Sequence, residues 1–309
     1  MPLTVALCSA ASNCNRSRSL VFYVVHSGIQ SHVQGRVESS LAKVGFPDAR
    51  IKWIVAPFDL IDDLKLTKPY LSALTYAKLL LPHLIPDDVS KVLYLDSDLV
   101  VRDDLANLWD TDLGDKALFA VRDRIAWVSA PRGLANYREL GIPQDAKYFN
   151  AGLLLVNLAK WRETKISERI FSYLRTYDAI IKMEDQEGLN AVLFDDWGEL
   201  PFRWNWQIPW RLYRSGERRM EWIPDESTKS IIHFTTAEKP WLPACDVEEK
   251  QYFFWYLDRT EWAGWRVSFF KEIYARFWRI IEDARTTAGA FRKEFLLRAR
   301  SLGGRSRGL

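Results

Sequence analysis

Five short apolar runs constrain this chain more than any other feature: LVFYVV at 20–25, IKWIV at 51–55, KVLYL at 91–95, LFAV at 118–121 and GLLLVNL at 152–158. Each has the length of a strand, and none approaches the roughly eighteen apolar residues that a membrane span needs. Between them lie segments of helical period. TVALCSAASNC near the start reads as a helix, followed by the polar turn NRSRS. Residues 30–44 form a second helical segment, SALTYAKLLLPHL at 72–84 a third that ends near Pro86, and DDLANLWD a short fourth. Strand-helix-strand order predicts an α/β fold with a mainly parallel central sheet flanked by helices. In such sheets ligands sit beyond the carboxyl ends of the strands.

One such end is unusual. In KVLYLDSDLV, residues 91–100, an apolar run suited to a strand covered on both faces meets Asp96 and Asp98 without warning. Asp is depleted in strands and is rarely buried without a partner. In an extended segment residues i and i+2 point the same way, so the two carboxylates converge while Ser97 turns aside. Two like charges at one point need a cation between them, and a hard divalent ion such as Mg²⁺ or Mn²⁺ is the natural occupant. Capping of the next helix is the competing role, for which Asp103 and Asp104 are better placed.

Four further stretches carry chemistry-bearing residues. YFNAGLLLVNLAKWRE places Asn150 just before an apolar strand, and EDQEGLNAVL puts Asp185 and Gln186 at a helix start. IIHFTTAEKPW offers His233 at a strand end, with Lys239 six residues later. Alone, His233 reads as an ordinary structural histidine. Beside the Asp pair it adds a nitrogen ligand, which favours Mn²⁺ over Mg²⁺, and Lys239 suits a diphosphate bridged by the same ion. The aromatics of LPFRWNWQIPW, 200–210, either line an acceptor side or fill the core.

Composition narrows the partners. With 48% hydrophobic and 27% charged residues the chain is globular, and a net charge of only +3 gives no reason to expect a nucleic-acid partner. The three cysteines have neither metal spacing nor an even disulfide framework, as expected of a reducing cytoplasm, and no basic n-region marks a signal peptide. Charge is uneven, however. From Phe270 onward ten Lys/Arg stand against four acids, interleaved with Ile273, Tyr274, Phe277, Trp278, Ile280 and Ile281. Such a basic, aromatic helix suits an anionic membrane surface; a packed helix with a frayed basic tail is the alternative.

Taken together, LVFYVVHSGI, LTYAKLLLPHLI, KVLYLDSDLVVRDDLANLWDTDLGD, YFNAGLLLVNLAKWRE, DQEGLNAVL and IIHFTTAEKPW resemble, in order, glycosyltransferase family 8, the retaining group that includes glycogenin and bacterial lipopolysaccharide galactosyl- and glucosyltransferases. The resemblance covers about residues 3–241. It implies a GT-A domain over 1–245, with 246–309 as an aromatic, basic helical extension. It further implies transfer of galactose or glucose from a UDP-sugar, with Mn²⁺ (or Mg²⁺), to a lipopolysaccharide or other surface glycan. The expected setting is the cytoplasm, at the inner face of the membrane. Residue by residue, Asp96, Asp98 and His233 would hold the metal. Asp96, Ser97, Asp98, Lys78, Asn150, Ala151 and Lys239 would hold the donor, and Asp185 and Gln186 would border the anomeric carbon. Retention is expected through same-face attack rather than a covalent intermediate on Asp185.

Three departures from the family pattern accompany this. Lys78 replaces a usual Arg, losing the bidentate fork. Thr236 replaces a common Gly. The family's opening strand and its Ala-x-Asp-x-x-Tyr segment, which hold uracil and ribose, have no counterpart after Met1. The expectation is a start assigned too far downstream; the alternative is a relative that binds glycans or partners without catalysis.

Overall fold

A computed structural model of the protein describes residues 1–46, 48–67, 72–208, 228–235, 239–243, 245 and 247–268. α1 (Pro2–Asn13) begins with Pro2 in its first turn, where a missing N–H costs nothing. Residues 4–11 of this helix are all buried, so it is an interior helix with apolar contact all round. β1 (Leu20–His26), α2 (Ser31–Lys43) and β2 (Ala49–Val55) follow as one strand-helix-strand unit, with β1 and β2 parallel from Leu20–Ala49 to His26–Val55.

The remaining strands are β3 (Lys91–Leu95), β4 (Leu99–Val101), β5 (Leu118–Trp127), β6 (Lys147–Asn157), β7 (Trp197–Glu199), β8 (Trp206–Gln207) and β9 (Ile231–His233). They form a four-stranded sheet in the order β3-β6-β5-β7 and a three-stranded sheet in the order β4-β9-β8. Among the described residues, β1–β2, β5–β7 and β8–β9 pair in parallel, and β3–β6, β5–β6 and β4–β9 antiparallel. The second edge of β1 and that of β3 pair with no described strand.

The doubly covered strand is β6, not β3. Nine consecutive residues of β6 are buried, whereas all five residues of β3 are half-buried at a sheet edge. Alternation along β6 sends Leu154 and Val156 into one core and Leu153 into the other. The first core lies under α5 (Leu158–Glu163), α6 (Ile166–Thr176) and α7 (Glu184–Val192), and the second surrounds α1, β4 and β9. Where β4 lacks a strand on its α1 side, side chains of α1 satisfy its backbone: Ser9 Oγ accepts from Val101 N–H at 3.0 Å and Asn13 Nδ2 donates to Val101 C=O at 3.1 Å.

Two segments differ from expectation. Ala73–Leu80 is a 3₁₀ helix, followed by the single α-turn α3 (Leu81–Leu84). At its C-terminal end Pro82 blocks continuation as a regular α-helix, since its ring would collide there with the Lys78 carbonyl. That carbonyl accepts instead from Leu81 N–H. Three residues per turn eclipse positions i and i+3, so Thr75 and Lys78 share one face. In the aromatic stretch, Phe202, Trp204 and Trp206 are buried in the second core. Residues 209 and 210 lie outside the described residues.

α4 (Leu105–Trp109) starts at Asp104, whose carboxylate accepts from Ala106 N–H at 2.9 Å, the capping role assigned above to Asp103 or Asp104. Of the expected extension, α8 (Lys250–Leu257) packs Phe253, Tyr256 and Leu257 into the second core, with Tyr256 OH accepting from Asn13 Nδ2 at 2.6 Å. The basic segment 270–309 and Thr236 lie outside the described residues. No helix among the described residues is long and apolar enough to cross a membrane.

Candidate functional site

The chain turns at Ser97–Asp98, between the end of β3 and the start of β4. Asp96 and Asp98 converge because the chain turns directly after Asp96, with Asp98 inside the turn, and not because the segment is extended. β4 pairs with β9, which brings His233 opposite Leu99 and so beside both carboxylates. His233 Nε2 lies 3.2 Å from Asp98 Oδ1 and 3.6 Å from Asp96 Oδ2. One ligand atom from each of Asp96, Asp98 and His233 falls within 4.8 Å of the others. The other Asp98 oxygen accepts from Lys239 Nζ, which also donates to Phe234 C=O. Ser97 is exposed in the turn.

Gly152 makes the cluster sterically possible. A Cβ there would sit 2.0 Å from His233 Cε1 and 2.8 Å from Asp96 Oδ2. Its carbonyl also accepts from Asp96 N–H at 2.8 Å, locking the end of β3 to β6.

A second group lies beneath. Lys78, 4% exposed, donates to Asp185 Oδ2 at 2.7 Å and to Ala151 C=O at 3.0 Å, with Asp96 Oδ1 at 3.5 Å. Burial works against the Lys78 charge, but Asp185 and Asp96 outweigh it and raise its pKa well above the ordinary value. Thr75 Oγ donates to the other Asp185 oxygen at 2.7 Å, as the shared 3₁₀ face requires. Burial, then Asp96, raises the Tyr94 phenol pKa, so this hydroxyl stays protonated and donates to Asp96 Oδ1 at 2.6 Å.

The third group is a network of amides. Asn150, within β6 rather than ahead of it, donates to Asp123 Oδ2 at 2.9 Å and to Gln186 Oε1 at 3.2 Å. Gln186 also accepts from Ala151 N–H at 3.1 Å and donates to Asp123 Oδ2 at 3.3 Å. Irregular pairing of β5 with β6 between Ala120 and Trp127 turns Asp123 inward, a common use of bulges beside sites. Asp185 and Gln186 are themselves set by Glu184, which holds a left-handed backbone (φ 43°) while its carboxylate accepts from Thr67 N–H at 2.7 Å. Such strain persists only where surrounding bonds enforce it. At the same helix start, Glu187 reaches back to Lys182 N–H at 2.7 Å and Met183 N–H at 3.1 Å, as in a capping box.

These residues fit a divalent cation. Lys239 pairs with one oxygen of Asp98, and Lys78 is shared between Asp185 and Asp96, so the two convergent carboxylates have one fully committed cation between them. Asp98 Oδ1 is buried without a hydrogen bond, its approach to His233 Nε2 lacking alignment. Two carboxylate oxygens and an imidazole nitrogen suit Mn²⁺ or a similar ion.

All the expected residues except Ser97 therefore lie in or beside one constellation. Asp123, Gly152, Asn205, Thr75 and Tyr94 also belong to it, beyond the residues that the sequence marks out. Asp123 carries a weaker signal than Asp96, because Arg122 separates it from the apolar run 118–121, and Asn205 only that of an amide between two tryptophans.

Residues 2–245 match the model of the family described as Glycosyl transferase family 8. General stress protein A of Bacillus subtilis strain 168 is 26% identical over 261 residues, covering 82% of this chain and 87% of that protein. Glycosyltransferase GlyD of Streptococcus pneumoniae is 31% identical over 206 residues; these cover 63% of this chain but only 22% of that protein. A crystal structure of the galactosyltransferase LgtC with donor and acceptor sugar analogues superposes with a TM-score of 0.68 at 28% identity, over 84% of this chain and 92% of that one.

Proposed function

The chain belongs to glycosyltransferase family 8, and from that premise we propose that it is a retaining, metal-dependent hexosyltransferase. It takes galactose or glucose from a UDP-sugar and passes it to a lipopolysaccharide or another surface-glycan acceptor. The observation that carries the reading is the Asp96–Asp98–His233 cluster, with Lys239 on one side and the Asn150–Gln186–Asp123 network on the other. The likeness to the galactosyltransferase LgtC supports galactose as the transferred sugar.

Asp96, Asp98 and His233 would hold a divalent cation, which would supply positive charge for the diphosphate leaving group. Lys239 adds a second cation at the same end. Asn150, Gln186 and Asp123 present amide and carboxylate groups of the kind that pair with sugar hydroxyls. Lys78 and Thr75 occupy both oxygens of Asp185, which favours a positioning role for this carboxylate and supports same-face attack.

Purified protein with Mn²⁺ and a panel of UDP-sugars should release UDP from UDP-galactose or UDP-glucose, and transfer should retain anomeric configuration. Release of pyrophosphate would instead indicate nucleotidyl transfer, and no release from any donor would leave a binding protein. Gln186→Ala and Asp185→Asn should lower turnover without altering the anomeric outcome. A glycosyl adduct trapped on Asp185 would overturn same-face attack.

The excess of ten basic over four acidic residues from Phe270 onward supports action at the inner face of the cytoplasmic membrane. Deleting residues 270–309 should release the protein from phosphatidylglycerol vesicles, and added salt should mimic the deletion. Undiminished vesicle binding by the truncated protein would overturn this placement.

A further inference from the structure

Backbone donors fix which end of each amide faces which neighbour near His233. Gly152 N–H donates to Asn150 Oδ1 at 3.0 Å, so that oxygen is an acceptor and Nδ2 is the end that meets Asp123. Asn205 Nδ2 donates to the same Asn150 oxygen at 2.8 Å, which turns Asn205 Oδ1 the other way. There it meets His233 Nδ1 at 2.9 Å. A carbonyl oxygen can only accept, so the imidazole proton sits on Nδ1 and the neutral ring keeps its lone pair on Nε2. Nε2 is the atom turned toward Asp98 and Asp96.

We propose that Asn205 is a positioning residue whose side-chain oxygen locks His233 in the Nδ1–H tautomer and so keeps Nε2 open to a divalent cation. The proposal rests on the reading of Asp96, Asp98 and His233 as cation ligands. In the other tautomer a proton on Nε2 would stand toward Asp98, 3.2 Å away, and the ring would offer no lone pair to the ion. Asn205 is 0% and His233 2% exposed, so in the native protein the amide, and not bulk solvent, is the acceptor at Nδ1. Hydrogen bonds that orient ligating imidazoles act in this way in other metal sites. The relay also joins the two halves of the site, since Asn150 serves both the sugar-side network and Asn205.

The test combines ¹⁵N NMR of the His233 ring in metal-free protein, at a pH where the ring is neutral, with Mn²⁺ titration by calorimetry. Wild type should show Nδ1–H. Asn205→Ala should move the proton to Nε2 and weaken Mn²⁺ binding by about 10–100-fold, the usual effect of losing such a partner. Asn205→Asp keeps an acceptor for Nδ1–H but loses the donation to Asn150. It should retain the Nδ1–H tautomer and bind Mn²⁺ nearly as wild type does. Equal losses in both variants would mean that Asn205 acts only by supporting Asn150, and would overturn the proposal. So would an Nε2–H ring in the wild type, a reading available even if the Ala variant fails to fold. A wild-type protein with Nδ1–H that binds no Mn²⁺ would overturn the cation assignment and leave the tautomer lock standing, which separates the two.

Discussion

Asp98→Ala should lower glycosyl transfer by at least about a hundredfold, the scale of losing a key electrostatic group, and abolish its dependence on Mn²⁺. Asp98 sits between His233 Nε2 at 3.2 Å and Lys239 Nζ, so its removal takes one ligand atom from the cluster and releases Lys239. Asp96→Ala should act similarly in transfer, while also leaving the Tyr94 hydroxyl without its acceptor and removing one of two carboxylates near Lys78. Excess chelator should reproduce the loss in the wild type, with Mn²⁺ restoring more activity than Mg²⁺ because one ligand is a nitrogen. Circular dichroism melts separate misfolding from lost function. Full transfer in excess chelator would overturn the metal assignment.

Asp96, Asp98, His233 and Lys239 are legible in sequence because each ends or follows an apolar strand run, where a charge has little structural purpose. Asp123 escapes because β5 runs six residues beyond its apolar stretch at 118–121, out to Trp127. Which run is central is equally hidden: KVLYL and GLLLVNL are both continuous and apolar, yet one lies at an edge and the other in the middle. Composition reports a preference for burial, whereas the number of covering neighbours is set by assembly of distant segments. Pro82 explains the break at the end of the 3₁₀ helix Ala73–Leu80, but the apolar spacing of that segment reads as α. Its consequence, the joint grip of Thr75 and Lys78 on Asp185, is a matter of helical pitch that residue types do not encode. The tautomer relay through residues 150, 205 and 233 depends on three segments far apart in the chain, and no local pattern announces it.

Gly152→Ala should be as damaging as loss of a ligand, although it removes no polar group. Glycine weakens a strand interior, and β6 is the most buried strand, so its presence there implies a close approach. The approach is to His233 Cε1 at 2.0 Å, Asp96 Oδ2 at 2.8 Å and His233 Nδ1 at 2.9 Å from the added methyl position. The ring cannot swing aside freely: Asn205 holds Nδ1, and β9 is paired on both edges, with β4 and β8. Relief therefore has to separate His233 from the carboxylates or displace β6. Overpacking of this kind costs about 1–3 kcal/mol, so the variant should fold with a lowered melting temperature. Mn²⁺ affinity should fall at least about tenfold and transfer at least about a hundredfold, since misplaced groups lose both binding and orientation. Gly198→Ala is the matching control, because its methyl would meet the Phe119 ring at 2.3 Å in the core and not the site. It should lower the melting temperature while leaving Mn²⁺ affinity per folded molecule unchanged. If Gly152→Ala binds Mn²⁺ as tightly as the wild type, the crowded Gly152–His233–Asp96 contact is not what sets the ligand geometry.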